Sequence, residues 1–234
     1  MCTKEEIMNY LIVVAHPDDE VLGAGAAIYK LARQGHEVSV LIMSYKAQAR
    51  ANRPTDTELE NDAMACMDIL GVKKVYTGDF PNIQMNTVPH LHLVQKIESC
   101  MVDCGAEVII THHPADLNND HHQTSLACQA ASRLFQRRTD VPQLKELLYM
   151  EVPSATEWAL DNASNPFRPD TFFEVGREAV EKKIEALSQY RGVMRPFPHP
   201  RSPEAIMGLA AYRGGQSGCV YAEAFECAIR RVLL

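Results

Sequence analysis

Two short stretches of the chain concentrate side chains able to hold a metal or move a proton. The first is His16-Pro17-Asp18-Asp19-Glu20. One imidazole and two adjacent carboxylates offer the nitrogen and oxygen donors that suit zinc, with one carboxylate left over to act as a base. Pro17 lacks an N–H and stiffens the turn. The second stretch, His112-His113-Pro114-Ala115-Asp116-Leu117-Asn118-Asn119-Asp120-His121-His122, packs four histidines and two aspartates into eleven residues. A His and an Asp from the first stretch plus a His from the second make three protein ligands. Three ligands leave a place for water, which is the catalytic arrangement rather than the structural one. Each stretch also has a plainer reading. The acids of the first can simply complement the positive end of a following helix, and a histidine of the second can be a solvated loop residue or a cap. Two such clusters, each directly after an apolar run, favour a shared metal site.

The apolar runs explain how the two stretches could meet. Residues 10–16 (YLIVVAH) and 107–113 (EVIITHH) read as strands buried on both faces. Further strands are expected at 37–44, 72–76, 144–152 and 171–175. Helices are expected at 21–34, 56–70, 88–104, 120–137 and 176–190, several ending at a glycine. This alternation predicts an α/β fold, a Rossmann-like three-layer α/β/α sandwich with a mostly parallel sheet. In such sheets ligand sites gather beyond the carboxyl ends of the strands. Residues 153–169 read as a long loop carrying Trp158, the only tryptophan, and 195–203 (RPFPHPRSP) is too rich in proline for a regular helix. Ser202-Pro203 opens a short helix, and 221–234 reads as a C-terminal helix. With no linker that splits the chain, 1–234 is expected to be one domain in which 153–234 forms a loop and helical extension.

Composition narrows the function. The 234 residues are 46% hydrophobic and carry a formal charge of −7, so no global basic excess serves a nucleic-acid partner. No apolar run approaches the ~20 residues of a membrane span. The N-terminus lacks the basic-then-apolar plan of a signal peptide, and the seven cysteines read as reduced thiols. Together these point to a cytoplasmic chain. Gly23-x-Gly25 follows a strand, but Ile28 stands where a dinucleotide fingerprint needs its third glycine.

Taken with Arg201-Ser202-Pro203-Glu204, Arg213-Gly214 and Tyr221-Ala222-Glu223-Ala224-Phe225, the two polar stretches make the chain resemble the PIG-L/LmbE-type zinc-dependent de-N-acetylases. The resemblance implies a hydrolase that removes the acetyl group from an N-acetylglucosamine-type small molecule. It implies zinc on His16, Asp19 and His121, with Asp18 as the general base that activates water. It places Asp120 behind a ligand, orienting a histidine. Relatives are often homo-oligomers. The chain departs from many members in having Asn118 where they carry a histidine that helps stabilise the oxyanion. Asn118 can donate a hydrogen bond but not a proton, so His113 is the substitute to test. Asp116 is a candidate partner for one of the histidines. Arg50 and Arg53 could hold an anionic group of the substrate, and Trp158 could stack on a sugar ring. Tyr221 belongs to the tail match and is a candidate at the substrate site. A metal- or carbohydrate-binding module without activity, and a zinc amidase acting on another acyl group, are the competing readings. Mixed nitrogen and oxygen sites also accept other divalent metals.

Overall fold

The computed structural model describes residues 6–46, 54–160 and 165–232. Its sheet is built around β1 (Asn9–Val14), flanked by β2 (Glu37–Ile42) and β4 (Val108–His112). The full order is β3-β2-β1-β4-β5-β7-β6, with β3 at Lys74–Thr77, β5 at Glu146–Met150, β6 at Thr171–Glu174 and β7 at Ala222–Arg230. The pairs from β3 through β5 are parallel, and β7 runs antiparallel to both β5 and β6.

Leu11 to Val14 are wholly buried because the sheet is covered on both faces, as their continuous apolar run requires. Side chains alternate between the two covers. Tyr10, Ile12 and Val14 pack with α1 (Asp19–Arg33), α2 (Asp56–Leu70), α5 (Gly176–Gln189) and α6 (Pro203–Ser217). Leu11 and Val13 pack with α3 (His90–Cys104) and α4 (Asn119–Ala131). The expected three-layer α/β/α sandwich is the fold.

The chain passes from β1 outward through β2 to β3, then returns to the other side of β1 as β4. The point where strand order reverses therefore lies between β1 and β4. In open α/β sheets, the crevice at the carboxyl ends of two such strands is where ligands bind. Both polar stretches leave the sheet there.

Two expectations need correction. Residues 221–234, read as a helix, contain instead the nine-residue strand β7. Its Ala- and Glu-rich start has helical propensity, but pairing Phe225 with Met150 and with Thr171 buries the segment in the sheet, and tertiary burial overrides local preference. The region from 153 onward is thus not only loop and helix, since it supplies β6 and β7 to the same sheet. The helix after Ser202 is also longer than expected, at 15 residues, and Ser202 Oγ accepts the amide of Ala205 as its cap. Among the described residues, six cysteines are free thiols and no helix is long and apolar enough to cross a membrane.

Candidate metal centre and active site

His16 follows β1, Asp19 is the first residue of α1, and His121 lies in the first turn of α4. The fold brings these three to one point. His16 Nδ1 lies 3.4 Å from Asp19 Oδ2, and His121 Nε2 lies 3.1 Å from the same oxygen. Two donors each ~2.0–2.1 Å from a tetrahedral ion stand about 3.3 Å apart, so the spacing suits a common cation. All three side chains are buried or nearly so.

Each imidazole is aimed by a carboxylate on its other nitrogen. Asp120 Oδ2 is 3.0 Å from His16 Nε2, and the Asp120 carboxylate also accepts the amides of Ile83 and Met85. Asp116 Oδ2 is 3.1 Å from His121 Nδ1 and accepts the hydroxyl of Thr156 at 2.7 Å. The arrangement crosses the loops: Asp120, the chain neighbour of His121, orients His16 from the other stretch. This is the carboxylate–histidine pairing that fixes the tautomer of a metal ligand.

The electrostatics ask for a cation. Burial opposes charge on His121, but the carboxylates of Asp19 and Asp116 win and raise it to about 10. On His16 burial is likewise outweighed, here by hydrogen bonds to Asp120 and Asp19, and the pKa is raised. Asp19 stays well below the usual carboxylate range, against burial, because of His121 and His16. Buried carboxylates thus favour positive charge where the three donor atoms meet.

His112 takes a different part. Its Nε2 accepts the amide of Ala15 at 2.8 Å, tying the end of β4 to the end of β1. Its ring stacks on His121 with centroids 3.8 Å apart. Burial and the neighbouring charge of His121 lower it to about 3, so it stays neutral.

Asp18 stands at the N-cap position of α1 without a side-chain capping bond, and its φ of 99° is a left-handed conformation that costs energy for a residue with a Cβ. Behind it, Glu20 is fully buried. Glu20 accepts the Asp18 amide at 3.1 Å on one oxygen and the Tyr190 hydroxyl at 2.7 Å on the other. Burial pushes Glu20 up to about 8. Tyr190→Phe should therefore destabilise the chain by ~1–3 kcal/mol, the cost of leaving a buried acceptor unmet. A urea unfolding midpoint equal to wild type would show that the contact contributes nothing.

A cleft of about 330 Å³ opens over the centre, lined by Asp18, Asp19, His16 and His121 together with Asn118, Lys46, Ser154 and Arg201. Asn118 caps α4, its side-chain oxygen accepting the Asp120 amide, which leaves its NH₂ group as a donor. His113 does not reach the cleft. Its Nδ1 accepts the Ala115 amide, its Nε2 faces Glu226 at 3.4 Å, and its ring packs edge-on against Tyr149 and Phe167. Trp158 is half exposed on a short turn and does not line the cleft. Tyr221 is also elsewhere, its hydroxyl accepting from Arg177 on α5. Arg50 and Arg53 lie outside the described residues. Sequence reasoning missed Ser154, Lys46 and the part played by Arg201. Arg201 carried a signal in the tail motif, but its proline-rich setting said only that the segment is irregular.

Residues 11–132 match the family model described as PIG-L, GlcNAc-PI de-N-acetylase. The chain belongs to the PIG-L family. The matched stretch of this deacetylase family takes in all three candidate ligands, from His16 to His121. A relative from Escherichia coli strain K12, described as uncharacterized deacetylase YaiS, is 26% identical over 77% of this chain and 89% of its own. The N,N'-diacetylchitobiose deacetylase of Pyrococcus horikoshii superposes with a TM-score of 0.75 at 18% identity, covering 95% of this chain and 84% of that one. GalB of Pseudomonas putida KT2440, a 4-carboxy-2-hydroxymuconate hydratase, superposes with a TM-score of 0.78 at 23% identity, covering 97% and 99%. The last likeness shows that this fold hosts more than one reaction, so the site must carry the functional argument.

Proposed function

We propose that the protein is a zinc-dependent hydrolase that removes the acetyl group from an N-acetylglucosamine-type small molecule. The observation that carries this reading is the convergence of His16 Nδ1, Asp19 Oδ2 and His121 Nε2 at ligand spacing, with the Asp18 carboxylate beside them on the cleft wall. His16, Asp19 and His121 would hold the ion, oriented by Asp120 and Asp116. When bound, a zinc ion lowers the pKa of water from about 15.7 toward ~7 and polarises a carbonyl.

The chain's own groups do the rest. Asp18 accepts a proton from the water that attacks the acetamide carbon. The Asn118 NH₂ donates toward the oxygen on which negative charge develops, a role an amide fills without titrating. As the C–N bond breaks, the proton held on Asp18 passes to the departing amine, since His113 is turned away toward Glu226. The products are acetate and a free amino sugar. The family's description and the name of the Pyrococcus enzyme support the substrate class. Arg50 and Arg53 stay candidates for an anionic group of the substrate.

The test is an acetate-release screen over N-acetylated amino sugars, with and without a chelator, on wild type and Asp18→Asn. Acetate and amine should appear together, stop on metal removal, and fall by ~10²–10⁴-fold in Asp18→Asn with its zinc content unchanged. Turnover of a substrate without acetate, such as water addition to a carbon–carbon double bond, would replace the reading. Full activity in Asp18→Asn would remove Asp18 as the base.

A further inference from the structure

Arg201 stands 183 residues from Asp18 in the chain, yet its Nη1 lies 3.4 Å from Asp18 Oδ2. Its Nε donates to Ser154 Oγ at 2.7 Å. We infer that Arg201 is a positioning residue for the base: it aims the Asp18 carboxylate into the cleft by bracing it against the Ser154 wall. The inference rests on the reading of Asp18 as the base.

Three features make the brace stiff. The backbone of Arg201 is pinned, because its amide donates to His199 Nδ1 and the next residue, Ser202, is the buried N-cap of α6. Its foothold is pinned as well. Ser154 sits at φ 76°, and the Glu157 carboxylate accepts the amides of both Ser154 and Ala155. The carboxylate it meets is almost fully shielded, the Asp18 side chain being 5% exposed, so the contact is not a solvent-screened surface pair of little worth.

Geometry explains why a brace is needed. Asp18 and Ser154 are both non-glycine residues in the left-handed region, and both line the cleft. Strained residues persist where surrounding contacts over-determine them. Glu20 holds the Asp18 amide, and the Arg201 guanidinium meets the Asp18 carboxylate. One guanidinium reaches both strained positions. Its planar group lets Nε meet Ser154 while Nη1 meets Asp18, two fixed directions that a single ammonium nitrogen does not offer. Two of the three guanidinium nitrogens, Nε and Nη1, are engaged by protein.

The test is a double-mutant cycle on the full, zinc-loaded chain with N-acetylglucosamine and N,N'-diacetylchitobiose as probes, beside a crystal structure of Arg201→Met. Arg201→Met should lower kcat ~10²-fold, the scale of a 1 Å misplacement at a reacting centre, with KM within about threefold and zinc content unchanged. Arg201→Lys should recover part of the loss. Asp18→Asn/Arg201→Met should be no slower than Asp18→Asn alone, because the arginine acts only through the aspartate. The crystal structure should show the Asp18 carboxylate turned from its wild-type direction. A rise in KM at unchanged kcat, additive losses in the cycle, or an unmoved Asp18 carboxylate would each overturn the inference. An Asp18→Asn variant as fast as wild type would instead bring down the base assignment, so the two failures are distinguishable.

Discussion

His121→Ala is expected to take zinc content from one ion per chain to near zero and acetate release to background. The imidazole is the one protein ligand supplied by the second polar stretch, so its loss leaves two donors, both from the first. It also strands Asp19, a buried carboxylate held ionised mainly by that ring. The loss of affinity should exceed the ~10–100-fold that follows removal of an orienting partner, which Asp116→Ala supplies as the internal comparison. Chelator competition measures both. In wild type the apparent affinity should climb with pH, because His121, raised to about 10, carries a proton that the ion must displace. An His121→Ala chain that still binds zinc at wild-type affinity would mean that the ion sits elsewhere.

Lys183→Met should lower stability by ~3–5 kcal/mol, the usual cost of stripping the partner from a buried charge. Lys183 is 5% exposed and Glu223 6%. The ammonium donates to Glu223 Oε1 at 2.6 Å and to the Leu22 carbonyl at 2.7 Å, and the Glu223 carboxylate accepts the amides of Ala26 and Ala27. The pair therefore grips α1 at one carbonyl and two amides within a little over one turn. Met keeps the volume of the side chain and removes the charge, leaving the carboxylate buried with two amides only. Adding Glu223→Gln should recover part of the loss. Urea unfolding of wild type and the two variants reads the result, and a drop below ~1 kcal/mol for Lys183→Met would show that water reaches the carboxylate.

The sequence was most legible where chemistry and burial coincide. His16, Asp19 and His121 were readable because each polar stretch follows a short, mostly apolar strand. A parallel sheet sets the ends of neighbouring strands side by side. Asp116 and Asp120 were readable as partners, but not the crossing by which Asp120 serves His16, since that depends on how the two loops lie over one another. Two kinds of signal misled. The segment around Glu223 is rich in helix formers, yet its place between β5 and β6 decides its state, and that is settled by contacts far away in the chain, such as Arg230 with Glu146, 84 residues apart. His113 has the right chemistry beside the right strand, but a one-residue step along an extended chain reverses the side-chain direction. His112 accordingly faces the centre, and His113 faces Glu226 and Phe167.

The proposed labour is divided along the chain. Every side chain proposed to grip the ion, and the base beside it, falls before residue 132, inside the stretch that matches the family model. Ser154 and Arg201, which form the opposing wall, come from after it. A change at Ser154 or Arg201 would therefore reach the base from outside the matched stretch while every ion-gripping residue stays intact.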